Sequence, residues 1–249
     1  MQEKIDIHKY KTFVFDCDGV VLDSNVVKTE AYFRTAKTLG ASDEQAQALV
    51  DYHVKLGGIS RYHKFEWYLR EVLKQPVTDA AMQAFLDGFA KELEIGLMEC
   101  EVAKGLSELR HKTPNANWLI LSGGDQEEIR ALFAKRTWGS LEVLESNETL
   151  DSNQTLISDQ ILASLFDGGL FGSPDNKDTV LSREIANGNI KLPALFIGDS
   201  KYDHEAAIRA GMEFVFLSDW TEVPDWQEYC KLHKILVLPN IQSLLNHAA

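Results

Sequence analysis

The chain has 249 residues, 45% hydrophobic and 25% charged, which suits a globular protein with one sizeable core and a smaller inserted or appended unit. A formal net charge of −13 argues against a nucleic-acid binder, although local cations and a metal can still hold a small anion. Cys17, Cys100 and Cys230 are too scattered for a disulfide framework or a zinc site. Residues 1–11 carry charges throughout without a signal-peptide apolar run, and no stretch is long and apolar enough for a bilayer, so a cytoplasmic setting without a membrane partner is expected.

In chain order, Thr12 to Phe15 is a short apolar run of strand formers that ends at a dense polar cluster, which predicts a buried strand feeding a functional loop. From 25 to 97 the character changes. Apolar residues recur at helical spacing in 27–39, 46–54, 65–73 and 80–93, with breaks at Gly40, Gly57-Gly58 and Pro76, so a helical domain is expected here. The chain should return to a core domain near Met98, giving a core of residues 1–24 and 98–249 and a cap of 25–97. Trp118 to Leu121, Ala194 to Ile197, Phe214 to Leu217 and Ile235 to Leu238 read as further short strands. Helical stretches are expected at 125–135, 177–187 and 203–210, and a polar surface excursion at 137–160. Buried strands alternating with helices predict an α/β fold, a Rossmann-like parallel sheet covered on both faces, whose ligands bind beyond the carboxyl ends of the strands.

Three polar clusters fall at those ends. Asp16 and Asp18, in Asp16-Cys17-Asp18-Gly19, are two residues apart and can project into one cavity, whereas Cys17 alternates away and reads as a packing residue. A carboxylate can attack phosphorus, a hard cation such as Mg²⁺ would relieve the repulsion between anions, and a second carboxyl can exchange a proton with the leaving oxygen and with water. The bland alternative is a strand end capped by surface aspartates. Ser122-Gly123-Gly124 offers a hydroxyl and backbone N–H groups at an expected helix start, either a phosphate cradle or an ordinary serine cap. Gly198-Asp199-Ser200-Lys201-Tyr202-Asp203 supplies two more acids suited to a metal, or a helix cap. Lys177 at a helix start could neutralise a phosphate, or be a solvated surface charge.

These four motifs, in this order at strand ends, resemble the haloacid dehalogenase-like hydrolases over nearly the whole chain. The resemblance implies Asp16 as nucleophile, Asp18 as general acid and base, and Ser122, Gly123 and Lys177 as phosphate binders. It implies a Mg²⁺ site from Asp16, Asp199, the backbone carbonyl of Asp18 and, in support, Asp203. The helical insert looks like the cap of the subgroup containing phosphoglycolate phosphatase and β-phosphoglucomutase. Dehalogenases lack the second aspartate, so Asp18 points to phosphoryl transfer. Lys28 lies in the region where phosphonate hydrolases of the subgroup carry a Schiff-base lysine, but its surroundings give no reason to single it out. The cap run Leu56-Gly57-Gly58-Ile59-Ser60-Arg61 is similar to the substrate loop of sugar-phosphate mutases, whose arginine binds a phosphate, although Gly57 stands where those enzymes have lysine. Arg61 is either a substrate ligand or a solvated cap charge, with His53 and His63 as secondary candidates. The expectation is a Mg²⁺-dependent phosphatase for a small phosphorylated metabolite. A phosphomutase and a non-catalytic binding module are the alternatives, and retention of Asp16 and Asp18 speaks against the module.

Overall fold

In the computed structural model, residues 5–138 and 160–247 are described. The sheet is built around β1 (Thr12–Phe15), all four of whose residues are buried. Their alternation fills both faces. Phe13 and Phe15 enter a cluster with Trp118 and Phe166, while Val14 joins Leu119, Leu121 and Phe196 on the other side. β1 pairs in parallel with β2 (Asn117–Asp125) and with β6 (Ala194–Gly198), so that Phe15 lies opposite Ile120 and Ile197. Among the described residues the sheet has the order β5-β2-β1-β6-β7-β8, all parallel, with β5 at Gly169–Ser173, β7 at Glu213–Leu217 and β8 at Leu236–Leu238. Thr137–Trp138 (β3) and Gln160–Ile161 (β4) form a separate two-residue antiparallel pair. The expected excursion at 137–160 otherwise lies outside the described residues.

Between β1 and the next core helix come α1 (Asn25–Thr38), α2 (Asp43–Lys55), α3 (Arg61–Trp67) and α4 (Asp79–Glu99), with a single π-helical turn over Tyr68–Val72. Their boundaries follow from local chemistry. Gly40, at φ +90°, turns the chain beyond α1; Ser42 and Gln45 form a reciprocal capping box on α2; Thr78 accepts a hydrogen bond from the Ala81 N–H at 3.2 Å to open α4. The four helices enclose an apolar cluster of their own, with Tyr32, Leu49, Phe65, Tyr68, Phe89 and Leu93 all buried. Each such side chain contributes roughly 1.5–3 kcal/mol of burial free energy. α4 runs two residues past the expected return at 97, carrying on through Gly88 and Gly96 to Glu99.

The remaining helices are α5 (Leu106–Lys112), α6 (Gln126–Lys135), α7 (Lys177–Ala186), α8 (Lys201–Arg209), α9 (Trp226–His233) and α10 (Ile241–His247). The expected strand at 118–121 is longer than its apolar run. β2 continues through Ser122, Gly123 and Gly124 to Asp125, and α6 begins only after it. No helix among the described residues is long and apolar enough to cross a membrane.

Candidate active site

Asp16 is the first residue beyond the central strand, and its N–H donates to the Ile197 carbonyl at 2.9 Å, which fixes the chain where the side chain leaves the sheet. Its carboxylate accepts from the Cys17 N–H at 2.8 Å and lies 3.0 Å from the Lys177 ammonium. Lys177 also contacts Asp203 closely and is itself buried, so it is not a solvated surface charge. Cys17 is buried in the core, as its alternation predicts.

Asp199 stands at the end of β6, held through its carboxylate by the Asn25 amide at 2.8 Å. Asp203 lies in the first turn of α8, where Ser200 and Asp203 form a capping box. Helix capping and a place in the acidic cluster are therefore both true of this motif. Gly19, at φ +76°, leaves the space: a Cβ there would sit 2.1 Å from Asp199 Oδ2.

Oxygens of Asp16, Asp199 and Asp203 come within 4.8 Å of one another, all three residues buried. Burial, then the charge of Asp203, pushes Asp16 up to about 7 against the opposing pull of Lys177, with Asp18 adding to the rise. Burial and the charges of Asp16 and Asp203 drive Asp199 well above the ordinary carboxylate range. Burial opposes the charge on Lys177, but Asp16 and Asp203 outweigh it and raise that ammonium. One ammonium thus faces three converging carboxylates. The uncompensated negative charge and the all-oxygen donor set fit a hard divalent cation.

Asp18 points elsewhere. The Ser24 hydroxyl donates to it at 2.5 Å, the Ser122 hydroxyl at 3.3 Å, and the Lys28 ammonium contacts it closely. Burial alone would raise this carboxyl; Lys28, Ser24 and Lys177 together bring it below its ordinary value. Its side chain is therefore outside the acidic cluster. Lys28 is a correction to the sequence reading, since it belongs to this site. So does Asn25, which the sequence reading passed over. Asn25, Lys28 and Tyr32 recur at helical spacing on α1, and that stripe directly after the first motif was the available signal.

The Ser122-Gly123-Gly124 run also departs from expectation. It is the end of a strand, not a helix start: the cap of α6 is Asp125, which accepts from the N–H groups of Glu127 and Glu128 at 3.0 and 3.2 Å. The Gly124 N–H donates to the Ser122 hydroxyl at 2.9 Å. Gly123 is needed for a close approach, because a Cβ there would lie 2.5 Å from the carbonyl oxygen of Gly58.

Gly58 comes from the loop between α2 and α3, which packs against these strand ends. Arg61 is buried, ion-paired to Glu128 of α6 at 2.7 Å, with its guanidinium 4.7 Å from the centre of the Phe89 ring. That corrects the reading of a solvated charge. Tyr62 donates to Asp125 at 2.9 Å. Among the charged residues around the resulting cavity of about 50 Å³ are Asp16, Asp18 and Asp199 from the strand ends, Lys28 from α1, and Arg61 and Lys64 from α3. His53 lines the cavity too, whereas His63 is exposed beside a second cleft that reaches Lys177 and Ser122.

A parallel α/β sheet thus carries a buried carboxylate centre at its strand ends, with helices packed over it. A family model described as haloacid dehalogenase-like hydrolase matches residues 10–211, and the chain belongs to that family. No curated protein matches the chain. Among solved structures, it is similar to a hydrolase from Pseudomonas syringae, with 21% identity over 96% of this chain and 100% of that one and a TM-score of 0.61. A predicted phosphatase from Clostridium acetobutylicum shares 18% over 95% and 97%, with a TM-score of 0.65. A predicted phosphoglycolate phosphatase from Haemophilus somnus shares 15% over 96% and 97%, with a TM-score of 0.64. At these identities the likeness is one of fold.

Proposed function

We propose that the protein is a Mg²⁺-dependent phosphatase that hydrolyses a small phosphorylated metabolite, a sugar or hydroxy-acid phosphate, through phospho-Asp16. The observation that carries this reading is the buried Asp16 carboxylate, held by Lys177 and the Cys17 N–H, beside two further acids and within one cavity of a second, separately anchored carboxylate, Asp18.

Asp16 attacks the phosphorus; its oxygen–phosphorus bond forms as the ester oxygen–phosphorus bond breaks, and the leaving oxygen takes a proton from the side of Asp18. Since Lys28 and Ser24 keep Asp18 ionised at rest, that proton comes from the Lys28–Asp18 pair and not from a free carboxylic acid. In the second half, Asp18 accepts a proton from the water that attacks phospho-Asp16, and orthophosphate leaves. Ser122 and the Gly123 backbone hold the phosphoryl oxygens, and Lys177 keeps a positive charge beside them. A divalent cation held by Asp16, Asp199, Asp203 and the Asp18 backbone carbonyl would supply further positive charge against the repulsion between carboxylate and phosphoryl group. In this reading residues 25–97 form the cap, and Arg61 braces its closed position through Glu128.

The test is a panel of phosphorylated metabolites assayed for orthophosphate with Mg²⁺. Release that disappears in Asp16→Asn is expected. No release from any ester, or an isomerised sugar phosphate in place of orthophosphate, would overturn the proposal.

A further inference from the structure

The cap side of the cavity holds three cations, and two already have carboxylate partners. Lys28 is paired with Asp18 and Arg61 with Glu128. Lys64, one turn after Arg61 on α3, is only 2% exposed and, among the described residues, has no carboxylate within ion-pair distance. Its ammonium instead meets Nδ1 of His53 at 2.8 Å and lies 5.7 Å from the centre of the Tyr32 ring. Lys64, His53 and Tyr32 all line the cavity into which Asp16 and Asp18 project. A buried cation without a counter-ion is costly, and it is retained where a ligand brings the missing charge.

We propose that Lys64 is a specificity residue whose ammonium, positioned by His53, receives a carboxylate carried by the leaving group of the phosphate ester. The inference rests on the phosphatase reading and narrows its substrate to small phosphorylated hydroxy acids. Burial, followed by the charges of Lys64 and Lys28, holds His53 well below the ordinary histidine range, so it is the neutral acceptor for Lys64. Burial, then the charge of Lys28, lowers Lys64 to about 7, with Arg61 lowering it further and Asp18 and Asp16 opposing. An amine so poised is tolerated in the cavity when no anion is there, and an arriving carboxylate holds its proton in place.

The experiment measures kcat/KM of the full chain with Mg²⁺ on three esters. Carboxymethyl phosphate and isobutyl phosphate have the same branched shape and differ in the carboxylate, and ethane-1,2-diyl bisphosphate carries a second phosphoryl group instead. The wild type is expected to prefer the carboxymethyl ester over the isobutyl ester by at least 10-fold. Lys64→Met should cut that preference by roughly 10- to 100-fold, chiefly through KM, the scale of one hydrogen bond to a charged group. Lys64→Gln, which keeps a donor for His53, is the second variant, and circular dichroism reports the fold of both. A wild-type preference near unity overturns the inference, as does a preference that moves less than about 2-fold in both folded variants. Greater activity on the bisphosphate, lost on mutation, overturns the carboxylate assignment. In each of these cases orthophosphate is still released. If no ester, p-nitrophenyl phosphate included, releases it, the phosphatase reading has failed and the inference with it.

Discussion

Replacing the proposed nucleophile should make the metal-free protein more stable. Asp16 is pushed up to about 7 in the folded state from an ordinary 3.8, by burial and by Asp203 first. A carboxyl raised on folding contributes its full stability below the unfolded value. That contribution is lost as pH rises from about 4 through about 7, because the unfolded chain releases the proton more readily. Three units at 1.36 kcal/mol each set a ceiling of about 4 kcal/mol at pH 8, and coupling to Asp199 and Asp203 brings the expected gain to roughly 2–4 kcal/mol. Asparagine is the uncharged isostere. Its oxygen still accepts from Lys177 and from the Cys17 N–H, so Asp16→Asn removes the electrostatic cost without opening a cavity. For a chain of this size the gain corresponds to a rise of roughly 5–15 °C in Tm. The assay is thermal unfolding in EDTA at pH 8 and pH 5, with turnover measured in parallel. The variant should melt well above the wild type at pH 8, by a narrower margin at pH 5, and hydrolyse nothing. A variant that melts at or below the wild type at pH 8 would refute the electrostatic argument, and near-wild-type hydrolysis would refute the nucleophile.

Asp18→Asn should spare esters with good leaving groups in the first step while phospho-Asp16 persists, seen by acid-quench trapping; equal loss for all leaving groups would count against the proton role. Mg²⁺ affinity, measured by calorimetry, should weaken as pH falls below about 7, because protons compete for Asp16 and Asp199; an affinity flat from pH 5 to 8 would remove these residues from the metal site. EDTA should silence the enzyme, and Ca²⁺, with its larger and looser shell, should inhibit it. Arg61→Ala should destabilise the chain by roughly 1–3 kcal/mol and raise KM several-fold for the metabolite, with less effect on p-nitrophenyl phosphate; urea titration and steady-state kinetics test the two halves.

The sheet and the motif residues were legible because both are local. Apolar runs ending in Asp, Ser or Gly mark β1, β2 and β6, and each delivers its side chain one or two positions on. β5 escaped notice for a physical reason. It carries Gly169 and Gly172, which read as loop, yet a Cβ on Gly172 would lie 2.4 Å from the Gly124 carbonyl, so the feature that disguises the strand is what lets it pair with β2. The short α5, α9 and α10 have too few turns for a periodicity to register. Lys64 lines the cavity only because α3 packs over the strand ends, a long-range fact that no window of sequence contains. Arg61 and Lys64 do share one face of α3 at helical spacing, but a lysine on that face reads as solvated until its burial is known.

The contact between Gly58 and Gly123 bears on how sharply the closed state is defined. Main chain meets main chain there, at a distance where one methyl group would collide. Side chains absorb small misfits by changing rotamer, and these two glycines have none to change. A ligand that held the two backbones even a few tenths of an ångström apart would loosen this contact, with no side chain at either glycine to restore it. Under the proposed function, discrimination by size would fall to this backbone contact, independent of the charged residues proposed to read the ligand's chemistry.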